Sequence, residues 1–103
     1  MAGVITLFGA TAFAGAKSQW ASVVQVNVSS DIPVKTDESD MFDPDSCNGG
    51  NQPDFYAIPA SNSLQNKILA TTLTAKADSS KQVGFGITAC IGTRPQGVSV
   101  QMK

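Results

Sequence analysis

Residues 66–95 read NKILATTLTAKADSSKQVGFGITACIGTRP. Apolar side chains first recur at helical spacing. Asp78-Ser79-Ser80 then breaks the run, and Val83, Phe85, Ile87 and Ala89 alternate with Gly84, Gly86, Thr88 and Cys90. The period changes from about 3.6 to 2 across that break, so the stretch predicts a helix that hands over to a strand. Leu64, Ile68, Thr72 and Ala75 form one stripe of the helix, and Leu69 and Leu73 form a second, displaced stripe. Lys67 and Thr74 mark the wet side. Ser61 or Asn62 is placed to cap the helix, with Leu64 in its first turn. In the strand, glycine at alternate positions leaves room for close approach by another backbone or side chain. Without a bulge, Cys90 falls on the face opposite the core.

Working upstream, FYAI (residues 55–58) is a short strand ended by Pro59. Residues 37–54, DESDMFDPDSCNGGNQPD, are acidic and poor in apolar side chains. Asp43-Pro44-Asp45 and Asn48-Gly49-Gly50 are strong turn signals, so a long surface loop containing Cys47 is expected. IPVKT (residues 32–36) reads as a short strand that Pro33 assigns to a sheet edge or a strand start. QWASVVQVNVS (residues 19–29) alternates Trp20, Ser22, Val24, Val26 and Val28 against Ala21, Val23, Gln25, Asn27 and Ser29. The first set is the more apolar, which places Trp20 in the core. Downstream, GTRPQG is a turn, and Val98, Val100 and Met102 mark a last strand. The fold class is therefore mainly β with one helix. Five strands fit a small barrel of the oligonucleotide/oligosaccharide-binding (OB) type, and the helix between the third and fourth strands resembles the one that such barrels commonly place there.

Residues 1–16, MAGVITLFGATAFAGA, contain no charged side chain. They hold an apolar run followed by small residues around Ala12-Phe13-Ala14. This is the pattern of a signal peptide, although a basic start is missing. The run is shorter than the ~20 residues that span a bilayer. The expected organisation is a leader over residues 1–16 and a single domain over 17–103, secreted or periplasmic, with no membrane insertion. A buried first element is the competing reading of the leader. In an exported chain, two cysteines far apart read as one disulfide, Cys47 with Cys90. In a cytosolic chain they would be free thiols.

Net charge is −1, and the seven lysines and arginines do not alternate with aromatics, so nucleic acid is not an expected partner. The chain has no histidine, which excludes Ser–His–Asp and Cys–His sites. The paired carboxylates of residues 37–45 share one loop instead of facing each other across a cleft. Asp43, Asp45 and Asn48 cluster oxygens, but the glycine and closing glutamate of a calcium loop are not at their positions. No catalytic residue, metal site or cofactor is expected, and the chain is not read as an enzyme.

The run from Lys67 to Cys90 resembles small exported bacterial proteins in which an apolar helix leads through a short polar turn to an alternating strand ending in cysteine. Their fold is similar to that of the B subunits of AB5 toxins, which are disulfide-bonded OB barrels that form rings and bind glycans. The matching positions are Ile68 to Ala75, Val83, Phe85, Ile87 and Cys90, with Cys47 matching a partner cysteine by lying upstream. The resemblance implies a binding or assembly protein acting by surface recognition, with a homo-oligomer and a glycan or protein ligand as partners. Leu69 and Leu73 would then lie at the oligomer interface; the alternative is that they cover the barrel's own rim. Tyr56 and Arg94 are the exposed candidates for ligand contact; the competing reading is that each is structural or merely solvated. A second function class is a monomeric structural or inhibitory protein that meets a basic partner through the acidic loop.

Overall fold

A computed structural model describes residues 16–103; the leader reading therefore lies outside the described residues except for Ala16, its last position. The elements are β1 (Ala16–Lys17), β2 (Val23–Val26), β3 (Ile32–Thr36), β4 (Tyr56–Ile58), α1 (Gln65–Ala77), β5 (Val83–Ile91) and β6 (Arg94–Met102). One six-stranded sheet runs β1-β5-β6-β4-β3-β2. All pairings are antiparallel except β4 with β6, which run parallel at Ala57↔Gln96.

The mainly β class with one helix holds. Six strands lie in an open order where five were expected: Ala16 and Lys17, upstream of the run expected as the first strand, form a strand of their own on β5, while that run pairs with β3. Ala16 and Lys17 pair with Ile87 and Gly86. Ser18 prolongs that contact: its backbone N–H donates to the Phe85 carbonyl, and its Oγ accepts from the Phe85 N–H, both at 2.8 Å. Ala21 exchanges backbone bonds with Val83. At Ser22 the chain leaves β5. The Ser22 N–H donates to Asp37 Oδ1, and β2 then pairs with β3.

Up to Val24 the inward face of this run is the reverse of the expected one. Ala21 and Val23 are buried, whereas Val24 and Val28 are exposed at 44% and 79%. A bulge between Val23 and Gln25 puts Val24 and Gln25 outward together and returns Val26 to the core. Trp20 is half-buried and outside the core cluster.

Pro33 sits inside the sheet, between β2 and β4, and not on an edge. Its carbonyl accepts from Asn27, just beyond the end of β2. The missing N–H therefore falls where that ladder stops, and little is lost.

Val83, Phe85 and Ile87 of β5 are fully buried and meet Val34, Tyr56, Ile58 and Ile68 in one core. Each such side chain contributes about 1.5–3 kcal/mol by leaving water. Ala89 departs from the inward alternation. It is exposed with φ +61°, within an irregularity between Ile87 and Cys90.

The helix buries Ile68, Thr72 and Ala75 as its stripe predicts, while Leu64 is exposed. The helix starts one residue later than expected: Leu64 is its N-cap, and neither Ser61 nor Asn62 caps it with a side chain. Asn62 instead accepts from the Leu64 N–H with Oδ1 and donates to the Val98 carbonyl with Nδ2, which anchors the entry turn to β6. The β5–β6 turn is shorter than expected. Only Gly92 and Thr93 lie between the strands, with Gly92 at φ +59°.

Candidate functional site

The acidic segment is an ordered loop. Ser46 donates to the Asp43 carbonyl, Gly49 to Ser46 and Asn51 to Asn48, so successive tight turns fold it back on itself. Gly49 and Gly50 adopt φ +62° and +88°, which glycine reaches without strain. Asp43 Oδ1 accepts the Cys47 N–H at 2.9 Å. Gln52 closes the loop's two arms: its Oε1 accepts from the Met41 N–H and its Nε2 donates to Asp40 Oδ1.

Three ties hold the loop to the sheet. Cys47 and Cys90 form the expected disulfide, with their Cα atoms 5.5 Å apart. Beside it, the Ala89 N–H donates to Asp45 Oδ2 at 2.9 Å, so the irregularity in β5 aims a free backbone donor at the loop. At the far end Arg94 Nε meets Asp54 Oδ1 at 3.1 Å, with the guanidinium over the Phe55 ring. The Arg94 hydrogen bond holds the Asp54 carboxyl below its ordinary range. Arg94 is thus a half-buried partner of the loop's own carboxylate.

Tyr56, expected as an exposed ligand contact, is fully buried and offers no surface. Its ring packs against Phe85 at 5.5 Å. Its hydroxyl accepts from the Phe42 N–H at 2.8 Å and donates to Glu38 Oε1 at 2.9 Å. Burial, and then the Glu38 charge, push the phenol far above its ordinary value. Thr36 Oγ1 also donates to Glu38 Oε1, while Glu38 Oε2 is buried without a hydrogen-bond partner among the described residues.

Leu69 is partly buried against the chain's own core, whereas Leu73 is exposed at 44%.

Between the loop and Gln19 lies an open cavity of about 380 Å³. The residues that line it include Glu38, Asp40, Asp43, Gln52, Met41 and Phe42, and no lysine or arginine is among them. Six of the chain's eight acidic residues (Asp37, Glu38, Asp40, Asp43, Asp45 and Asp54) lie in this loop. Such a surface can receive a positively charged group by charge complementarity. Among the described residues no group of three histidine, cysteine or acidic side chains is placed to hold a metal ion. No helix among them is long and apolar enough to cross a membrane.

No protein-family model, curated protein or solved structure matches this chain.

Proposed function

We propose that this chain is a small exported binding module that recognises a basic partner through its acidic loop, without bond making. The observation that carries the reading is the cavity walled by Glu38, Asp40 and Asp43 with no cation in its lining. The ties at Cys47, Asp45 and Asp54 support it, because a surface held in place before binding loses less entropy on binding.

The scaffold in this reading is of the OB type. Residues 16–26 follow β5 with their first half and β3 with their second, and the helix enters between β4 and β5. Counted as one bent strand, they make five strands whose pairing returns to its starting point, which is the connectivity such a barrel requires. Export is supported by the disulfide.

The test is binding of a fluorescent oligo-arginine peptide to the native chain at low and high salt. Saturable binding that weakens with salt and is lost in D40N/D43N is the expected result. Asparagine keeps both Oδ1 acceptors while removing the charges. Binding that ignores either change refutes the reading.

A homo-oligomeric ring with a glycan ligand is the second reading, and the exposure of Leu73 on α1 favours it. Light scattering decides between them: a mass several times that of the chain, reduced to one chain in L73S, supports the ring, and a monomer removes it.

A further inference from the structure

On the outer face of β5, two lysines from opposite ends of the described chain meet one aromatic ring. Lys17 Nζ lies 3.4 Å from the centre of the Trp20 ring, and Lys103 Nζ lies 4.9 Å from the same centre. The two ammonium nitrogens are therefore no farther apart than those two distances laid end to end.

Both lysines are positioned by the backbone. Lys17 belongs to β1 and pairs with Gly86. Lys103 exchanges two backbone bonds with Gln82, at 2.9 and 3.0 Å. The Lys17 side chain is laid along the sheet over Gly84, where any Cβ would stand 2.6 Å from its Cε. That glycine is what allows the chain to lie flat toward Trp20 instead of projecting into water.

The arrangement concentrates positive charge, and among the described residues no side-chain carboxylate forms an ion pair with either lysine. The one ion pair among the described residues joins Arg94 to Asp54, and residues 1–15 contain no aspartate or glutamate. The face of an indole attracts a cation, at about 0.5–1 kcal/mol where exposed, but two ammoniums beside one ring repel each other. Desolvation, and then the charge of Lys103, hold the Lys17 ammonium below its ordinary value. A negative group between them would relieve that repulsion and add charge-assisted hydrogen bonds.

We propose that Lys17, Lys103 and Trp20 form a binding site for one oxyanion group, with the two ammoniums as donors and the indole as an apolar wall. An ammonium acts as a compact point charge without the planar preference of a guanidinium. The site should therefore rank anions by charge, with phosphate and sulfate ahead of acetate.

Trp20 is the chain's single tryptophan, so its fluorescence reports from the site itself. The native chain is titrated with inorganic phosphate, sulfate and acetate, with chloride adjusted to hold ionic strength constant. The expected result is a saturable change with phosphate and sulfate and a weaker one with acetate. Affinity falls at least tenfold in K17Q and in K103Q, and is unchanged in K67Q, which removes an exposed helix lysine. G84A keeps both charges but displaces Lys17 from the ring, and it weakens binding as well. Each variant's melting curve establishes that it is folded. A response that matches chloride, or that survives in folded K17Q and K103Q, overturns the proposal and leaves the two lysines as solvated partners of the ring.

Discussion

Replacing Tyr56 with phenylalanine tests how the loop is joined to the core. The substitution keeps the ring and its packing on Phe85 but removes one oxygen, which joins the Phe42 N–H to Glu38 Oε1. The Phe42 donor then has no acceptor in a half-buried position, a loss of about 1–3 kcal/mol. Glu38 Oε1 keeps its bond from Thr36 Oγ1, so the loss on that side falls at the low end of the range for a bond to a charged group, about 1.5 kcal/mol. The sum is about 2.5–4.5 kcal/mol, against a total of roughly 5–10 kcal/mol for a domain of this size. Urea unfolding should show a lower midpoint with an unchanged slope, and hydrogen exchange at the Phe42 amide should accelerate.

The alkaline limb carries the same signature. The phenol titrates far above its ordinary 10.0 in the fold, so its contribution to stability is present below pH 10 and is lost as pH rises beyond that value. Tyr56 is the only tyrosine, so tyrosinate absorbance should appear together with loss of the fold. In Y56F this source of alkaline sensitivity is gone. A Y56F chain within about 0.5 kcal/mol of wild type, with an unchanged alkaline limb, would refute the reasoning.

Further outcomes follow from other contacts. Replacing both cysteines with serine should remove about 4 kcal/mol, the chain-entropy value for a separation of 43 residues, as read from urea midpoints. I68A, in the buried helix stripe, should cost about 2–5 kcal/mol, and L73A, on the exposed side, less than about 0.5 kcal/mol; equal losses would mean the helix faces otherwise. The Asp54 carboxyl is held below its ordinary 3.8, so its contribution is present above that pH and is lost as pH falls through the lowered value. R94Q should therefore move acid unfolding to higher pH, and only slightly, because the pair is exposed to solvent.

Periodicity was enough to locate the helix and the strand of β5, because those elements bury a face at fixed spacing and any register error would expose Ile68 or Phe85. Turn chemistry likewise marked the acidic loop, since Gly49 and Gly50 occupy conformations that few other residues adopt. Cysteine count and the leader pattern together were enough to pair Cys47 with Cys90.

Alternation misled at residues 19–29, where Ala21 and Val23 point inward until a bulge after Val23 returns Val26 to the core, and the bulge carries no signature of its own. Tyr56 was assigned to the surface by its position beside the acidic loop. Its hydroxyl is buried because Phe42 and Glu38, distant in sequence, come to meet it. A signal for this was present in FYAI, a short apolar strand, but the partners that satisfy the oxygen were not local.

By itself, then, the sequence determined the class of fold, the one helix with its buried stripe, the loop and its staple. Each follows from local spacing, turn preference or a covalent bond. Tertiary structure alone decided which face of the first run points inward, that the loop closes on a cavity, and that Lys17 and Lys103 share Trp20. Those outcomes depend on strand pairing between distant segments, which periodicity along one strand does not encode.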